Sequence, residues 1–344
     1  MCNIAGYIGS KNATPILLNM IMLQEGLNGG FYSGMAVHNG KTIDTVKLRG
    51  DFEKLIRETE VNGFIGNSGI AHSRTPSGGD GIWAHPFVSK PENDVKMCYV
   101  ANGSYGIYSA DKEGYNAIAD DLIANGIDIP CKTNNGCEKY NRLSSGEFVH
   151  ISDVMCQLIY KHKLGGLDTT EAMTQAFTEM PSEIVGLVIC KDDPDKIFFS
   201  RINMPMFVAF DGDGAYLASS PSAFPESVGE YKLLPALSSG YVSRDGFAFL
   251  PYPNFREKVR GFNRKTIMKA TDIILDLTSV KECNVNEMRS ALRKNMPKRV
   301  MLQVEAIVYI VIDKLLKSGK IVRRESVRRV DGQTAPLALF KAVK

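Results

Sequence analysis

The segment Pro251-Tyr-Pro-Asn-Phe255 divides the chain into two stretches of different pattern and opposite charge. Proline fixes φ and removes a backbone donor, so two prolines in three residues interrupt a helix or a central strand. Of the 41 Lys+Arg and 38 Asp+Glu among the 344 residues, 21 basic and 9 acidic side chains follow Phe255, leaving 20 basic and 29 acidic before it. The near-neutral total of +3 therefore conceals an acidic stretch and a basic one. At ~150 residues per domain the length suggests two domains, which the change of pattern places at residues 1–255 and 256–344. A chain of this size buries a sizeable core without disulfide or metal staples.

The first stretch alternates short strand-like runs with a few helices. Asn3–Gly9, Gly34–His38, Phe64–Ala71 and Val95–Ala101 are β-like, as are runs around Ile184–Cys190, Ile197–Phe210, Leu217–Ser220 and Gly240–Phe249. Thr14–Gln24, Tyr115–Asn125 and a run from Ser152-Asp153 to His162 have helical character, the last with a capping residue. Cys131–Gly146 is polar and rich in Asn, Gly and Ser, which predicts a loop. Many short strands and few long helices point to an α+β fold. In the second stretch Arg264–Asp276, Val285–Arg293 and Val300–Lys317 are predicted helices. Ile321–Val330, the turn Asp331-Gly332 and Ala335–Val343 predict a β-hairpin.

No apolar run reaches the ~18–20 residues of a membrane helix, and the first residues lack the basic start and apolar core of a secretory signal. The cysteine count is seven, an odd number lying mostly in apolar runs, which suits reduced thiols and a cytoplasmic setting. The five histidines are scattered without zinc-ligand spacing, so no metal is expected, and no cofactor.

Cys2 follows the initiator methionine directly. Removing Met1 would place a thiol and a free amine on one residue; by position alone, Cys2 is equally a small apolar residue opening a strand. Met1-Cys-Asn-Ile-Ala-Gly-Tyr-Ile-Gly9, Gly69-Ile-Ala-His-Ser-Arg74, Trp83-Ala-His-Pro86, Val100-Ala-Asn-Gly103 and Phe148-Val-His-Ile-Ser-Asp153 occur in this order. Together they resemble the class II glutamine amidotransferases, the N-terminal-nucleophile glutaminases, over residues 2 to about 250. Among the branches of that family the likeness is nearest to the glutaminase half of glucosamine-6-phosphate synthase. Ile197-Phe-Phe-Ser-Arg201, Pro205-Met-Phe-Val208 and Ala218-Ser-Ser220 continue the same order.

The resemblance implies a four-layer αββα sandwich and assigns roles residue by residue. Cys2 is the expected nucleophile, with its own amine as base. A thiol of pKa about 8.5 is only a few per cent ionised at pH 7, whereas an N-terminal amine titrates at roughly 7.7–8. Asn102, by its side-chain amide, and Gly103, by its backbone N–H, match the oxyanion hole; alone, Asn-Gly is a hairpin turn. Arg74 matches the arginine that grips the glutamine carboxylate, and Asp153 the acid that pairs with its ammonium. Ser77 stands at the position of a substrate-touching threonine, with Thr75 beside it where the family has Trp or Tyr. Taken singly, Arg74 is a surface charge and Asp153 a helix cap. His72 and His85 are expected to be structural. The stretch Gln24–Tyr32 lacks the family's arginine and is longer, so the lid over glutamine is expected to differ, and Cys131–Gly146 is an insertion.

About 90 residues follow the glutaminase-like part, fewer than a synthase domain requires, and no Gly-Lys phosphate loop is present. The expectation is a glutaminase subunit that passes ammonia to a separate synthase. Three helices and a hairpin resemble a small winged-helix domain; its arginine pairs suit either docking to protein or contact with nucleic acid. Two alternatives stay open: an N-terminal-nucleophile amidohydrolase of another amide, and a catalytically weak glutamine sensor whose winged helix binds nucleic acid.

Overall fold

Short polar side chains start most of the helices, because an Asn or Asp oxygen can accept from a backbone N–H that the first turn leaves unpaired. The computed structural model describes residues 2–76, 78–79, 81–103, 111–136, 140–253, 255 and 258–343, with Glu183 described by its backbone only. Along the chain, β1 (Asn3–Gly9) leads to α1 (Ala13–Glu25), β2 (Tyr32–His38), β3 (Ile43–Arg49), α2 (Phe52–Glu58) and β4 (Ser68–Arg74). There follow β5 (Phe87–Ser89), β6 (Met97–Gly103), α3 (Lys112–Ala124), β7 (Asn141–Arg142), β8 (Phe148–Val149), α4 (Ile151–Leu164) and α5 (Thr169–Glu179). Next come β9 (Glu183–Cys190), β10 (Ile197–Arg201), β11 (Phe207–Phe210), β12 (Gly214–Ala218), β13 (Tyr231–Leu233), β14 (Ser238–Ser243) and β15 (Gly246–Pro251). The C-terminal elements are α6 (Arg264–Val280), α7 (Val285–Asn295), α8 (Val304–Lys317), β16 (Ile321–Val330) and β17 (Gln333–Ala342).

Two antiparallel sheets stack face to face. One has the order β13-β11-β12-β1-β4-β2-β3 and the other β15-β14-β10-β9-β6-β5. β1 is flanked on both sides, by β12 and β4, and is buried throughout, so it is mostly apolar, with Asn3 the one side-chain amide, which finds buried partners. α1 and α2 cover the first sheet, and α4 and α5 cover the second. The order helix, sheet, sheet, helix matches the layering expected from the sequence. The largest apolar cluster lies between the sheets and under α3–α5; it includes Ile4, Ile70, Trp83, Val100 and Val185. A second joins α1 and α2 to the first sheet through Leu17, Ile21 and Phe52.

The C-terminal elements come in the expected order. Asp331 (φ 49°) and Gly332 (φ 75°) both take left-handed backbone, the turn that suits the twist of a tight hairpin. The winged-helix expectation is not supported by the way these elements are packed. α8, the third helix, buries Val304 to Tyr309, Val311, Ile312 and Leu315 in a core that also takes in Leu27 and Phe207. A helix packed on nearly all sides has no face for a nucleic-acid groove. The arginines expected to form a basic surface are largely engaged within the chain: Arg293 with Glu305, Arg324 with Glu282, and Arg323 with Glu325. Among the described residues, no helix is long and apolar enough to cross a membrane.

Candidate active site

The site forms where β1, β4 and β6 meet between the sheets. In the β1–β4 register Asn3 lies opposite Ser73 and Ile4 opposite His72. Side chains alternate across a strand. His72 and Arg74 therefore share one face of β4, and continuing the register by one residue brings Cys2 beside Arg74 and diagonal to His72. β6 belongs to the other sheet, and its end carries Asn102 and Gly103 at an irregularity in its pairing with β9.

Asn102 grips the backbone of Cys2 from both sides. Its Oδ1 accepts from the Cys2 N–H at 2.7 Å and its Nδ2 donates to the Cys2 carbonyl at 3.1 Å. Gly103 follows as the exposed last residue of β6. His72 ties the two sheets together, its Nε2 lying 2.9 Å from the Ala101 carbonyl, one residue before Asn102. A carbonyl only accepts, so Nε2 bears a proton in this contact. His72 stacks on His85 with ring centroids 3.9 Å apart. Burial, and then the neighbouring His72, hold His85 well below the usual histidine range, so His85 is neutral.

Cys2 is partly exposed, and its Sγ lies 3.7 Å from Thr75 Oγ1. Burial by itself pushes the thiol up, but the nearby His72, with lesser help from the terminal ammonium and the Thr75 backbone, outweighs it and brings the thiol from 9.0 down to about 6. The fully buried thiols Cys98, Cys131 and Cys156 are pushed up instead, by burial first. Cys2 alone among these four is placed for nucleophilic chemistry. His72, expected to be structural, makes structural contacts with the Ala101 carbonyl and His85, and it also lies close enough to the thiol to lower it.

Arg74 is buried with its guanidinium 4.5 Å from the centre of the Tyr32 ring. Its Nη2 donates to the Gly78 carbonyl at 3.0 Å and to the Tyr140 hydroxyl at 2.8 Å. Nη1 is buried with no partner among the described residues, so this edge of the fork can accept a carboxylate. Tyr140 comes from the polar insertion and Tyr32 from β2; both roles lay outside the motifs. Ser77 lies outside the described residues.

Asp153 sits in the first turn of α4, whose cap is His150. Its Oδ2 accepts from the Cys131 N–H at 2.9 Å and its Oδ1 from Gln157 Nε2 at 2.8 Å. Burial raises its carboxyl above the usual range. Among the described residues the structure brings Cys2, Thr75, Asn102, Gly103 and Arg74 together, and it leaves Asp153 engaged with its own helix and insertion. No group of three or more His, Cys, Asp or Glu side chains there could hold a metal ion.

The chain is 27% identical over 266 residues to a glutamine–fructose-6-phosphate aminotransferase (isomerizing) from Chlorobaculum tepidum, covering 76% of this chain and 39% of that protein. It is 26% identical over 252 residues to the enzyme of the same name from Thermococcus kodakarensis, covering 72% and 37%. The matches thus span under two fifths of these relatives. No protein-family model matches the chain. Among solved structures, the glutamine phosphoribosylpyrophosphate amidotransferase of B. subtilis, complexed with ADP and GMP, superposes with a TM-score of 0.59 at 14% identity. That superposition covers 94% of this chain and 66% of the other. A structure described as the allosteric regulatory enzyme of purine biosynthesis superposes with a TM-score of 0.60 at 13% identity, over 96% and 67%. At these identities the superpositions speak for the fold, whereas the aminotransferases speak for descent. In sequence and in fold, this chain is related to the class II glutamine amidotransferases.

Proposed function

We propose that residues 1–255 form a glutaminase unit that hydrolyses L-glutamine through Cys2, and that residues 256–344 are an accessory unit packed on it. The observation that carries the reading is the two-sided grip of Asn102 on the Cys2 backbone beside His72 and the open edge of Arg74. Removal of Met1 turns the Cys2 nitrogen into an amine, which takes the thiol proton. The thiolate attacks the glutamine side-chain carbon, and the carbonyl π electrons move onto oxygen. That oxyanion is met by the second Nδ2 hydrogen of Asn102 and the Gly103 N–H, a type of contact typically contributing about 3–4 kcal/mol in the transition state. Collapse expels the amide nitrogen, protonated to ammonia by the Cys2 amine, and leaves a thioester. Water then cleaves the thioester to glutamate and restores the thiol.

Arg74 binds the glutamine α-carboxylate through Nη1, with Thr75 alongside; Ser77 is assigned to substrate contact by the family resemblance alone. For Asp153 the proposed role is to receive the α-ammonium, which requires it to give up a bond to Cys131 or Gln157. The relatives' name describes transfer of glutamine nitrogen to fructose 6-phosphate, and this chain matches only a minor share of their length. We propose that its ammonia passes to an acceptor synthase in the cytoplasm. The test is glutamate release by wild type and by Cys2→Ala, with intact mass to establish Met1 removal. Loss of at least about a thousand-fold in kcat in Cys2→Ala is expected; equal activity of the two would remove Cys2 as the nucleophile.

A further inference from the structure

Resting on that reading, the structure assigns the C-terminal hairpin a part in the glutamine site. We propose that Arg328, near the end of β16, is a positioning residue that holds the Gly26–Phe31 loop in the shape the site needs.

The loop runs from the end of α1 into β2, within the stretch Gln24–Tyr32 that lacks the arginine expected from the family resemblance. It turns through Gly29 (φ +71°) and Gly30 (φ +84°), two left-handed residues without side chains to anchor them. Its backbone carbonyls point to the C-terminal elements and are filled from there. Arg328 Nη2 donates to the Gly29 carbonyl at 2.6 Å, with the guanidinium 5.0 Å from the centre of the Phe31 ring. Arg323 Nη1 donates to Leu23 O at 2.6 Å, the Ala338 N–H to Gly26 O at 2.7 Å and Gln333 Nε2 to Phe31 O at 3.3 Å. A backbone carbonyl removed from water needs a donor, and here a segment some 300 residues away supplies it.

The other side of the loop is bonded to the site. Asn3, the neighbour of Cys2, donates through Nδ2 to the carbonyls of Gln24 and Asn28, both at 2.7 Å. The Gly30 N–H donates to Ser73 Oγ at 2.7 Å and the Phe31 N–H to the Arg74 carbonyl at 3.1 Å. Tyr32, next in sequence, lies against the Arg74 guanidinium. A continuous set of contacts thus runs from Arg328 through the glycine turn to the strand after Cys2 and to the proposed carboxylate-binding arginine. The family's lid arginine is missing from Gln24–Tyr32, and a guanidinium from another part of the chain now holds this loop from outside.

The experiment compares wild type, Arg328→Ala, Arg328→Lys and the exposed neighbour Arg329→Ala in the full-length, Met1-processed protein. Glutamate release, alkylation of Cys2 by iodoacetamide and amide exchange over residues 26–32 are measured on the same samples. Arg328→Ala should raise KM for glutamine about ten-fold or more, with a smaller change in kcat. It should speed exchange in the glycine turn while leaving Cys2 alkylation within about two-fold of wild type. Arg328→Lys should recover part of the KM, and Arg329→Ala should behave as wild type. Exchange and KM unchanged in Arg328→Ala, or an equal effect in Arg329→Ala, would overturn the assignment. Absence of glutamate release from wild type would remove the proposed activity, whereas the exchange comparison would still decide whether Arg328 holds the loop. If Arg328→Ala does not fold, Arg328→Lys carries the same comparison, with an intermediate exchange rate expected and a wild-type rate and KM together refuting the role.

Discussion

Alkylation of Cys2 as a function of pH gives the most direct measure of what His72 does. With the thiol drawn from 9.0 to about 6, mainly by His72 against the effect of burial, the thiolate fraction at pH 7 rises from ~1% to ~90%. Lower basicity reduces intrinsic nucleophilicity, with a Brønsted slope of about 0.4–0.5, which returns roughly 20- to 30-fold of the roughly 90-fold gain. The larger signature is therefore the midpoint of the profile rather than the plateau rate. Iodoacetamide labelling followed by intact mass, on protein that retains Met1, between pH 5 and 9, should show Cys2 reactivity rising with a midpoint near 6. Cys98, Cys131 and Cys156, which burial pushes up, should stay unlabelled in the native state. In His72→Asn the midpoint should move above 8, and labelling at pH 6.5 should slow by about three-fold or more, the loss of thiolate being partly offset by its higher nucleophilicity. A wild-type midpoint of 8.5 or higher, or no displacement in His72→Asn, would refute the role given to His72.

Two further outcomes follow from the loop and its surroundings. Glu25, buried at the end of α1 and bonded to Ser73 and the Phe52 N–H, is raised by burial from 4.5 to about 7. A carboxyl with a raised native pKa binds more protons folded than unfolded between these values, so stability falls as pH rises from 4.5 to 7, by up to roughly 3 kcal/mol. Urea unfolding across that window should show the decline in wild type and a nearly flat line in Glu25→Gln; parallel lines would refute it. At Gly30, an added Cβ meets Ala335 Cβ and Pro336 Cδ, each at 3.0 Å, on a left-handed backbone. Gly30→Ala should cost about 1–3 kcal/mol by urea midpoint, and an unchanged midpoint would show that the hairpin does not press on this turn.

Much of the local structure was legible, and the departures have local causes. Asp331-Gly332 defined the hairpin turn because both residues tolerate positive φ. α5 went unread although Asp168 and Glu171 form a reciprocal capping box. α2 was missed because seven residues, with only Phe52 and Leu55 buried, give too short a periodic signal. Val300–Lys317, read as one helix, is a 3₁₀ segment over Lys298–Gln303 followed by α8, since Pro297 precedes it and the first turns tighten.

At the candidate site, the motifs located Cys2, Arg74, Asn102 and Gly103 because each motif is a short string of neighbours. They were silent on Tyr140, His72 as a partner of the thiol, and Arg328, whose roles depend on strands and loops far apart in the chain. The linear order of residues thus carried the order of most strands and helices, the hairpin turn and the fold that the motifs accompany. Only the tertiary structure decided that Asn102 holds Cys2 across 100 residues, that Asp153 bonds to Cys131 and Gln157, and that the hairpin reaches the glycine turn. The physical reason is range: capping, turn geometry and periodicity act within a few residues. The facing sheets and the docked hairpin, in contrast, are chosen by burial and by satisfying backbone groups across the whole chain.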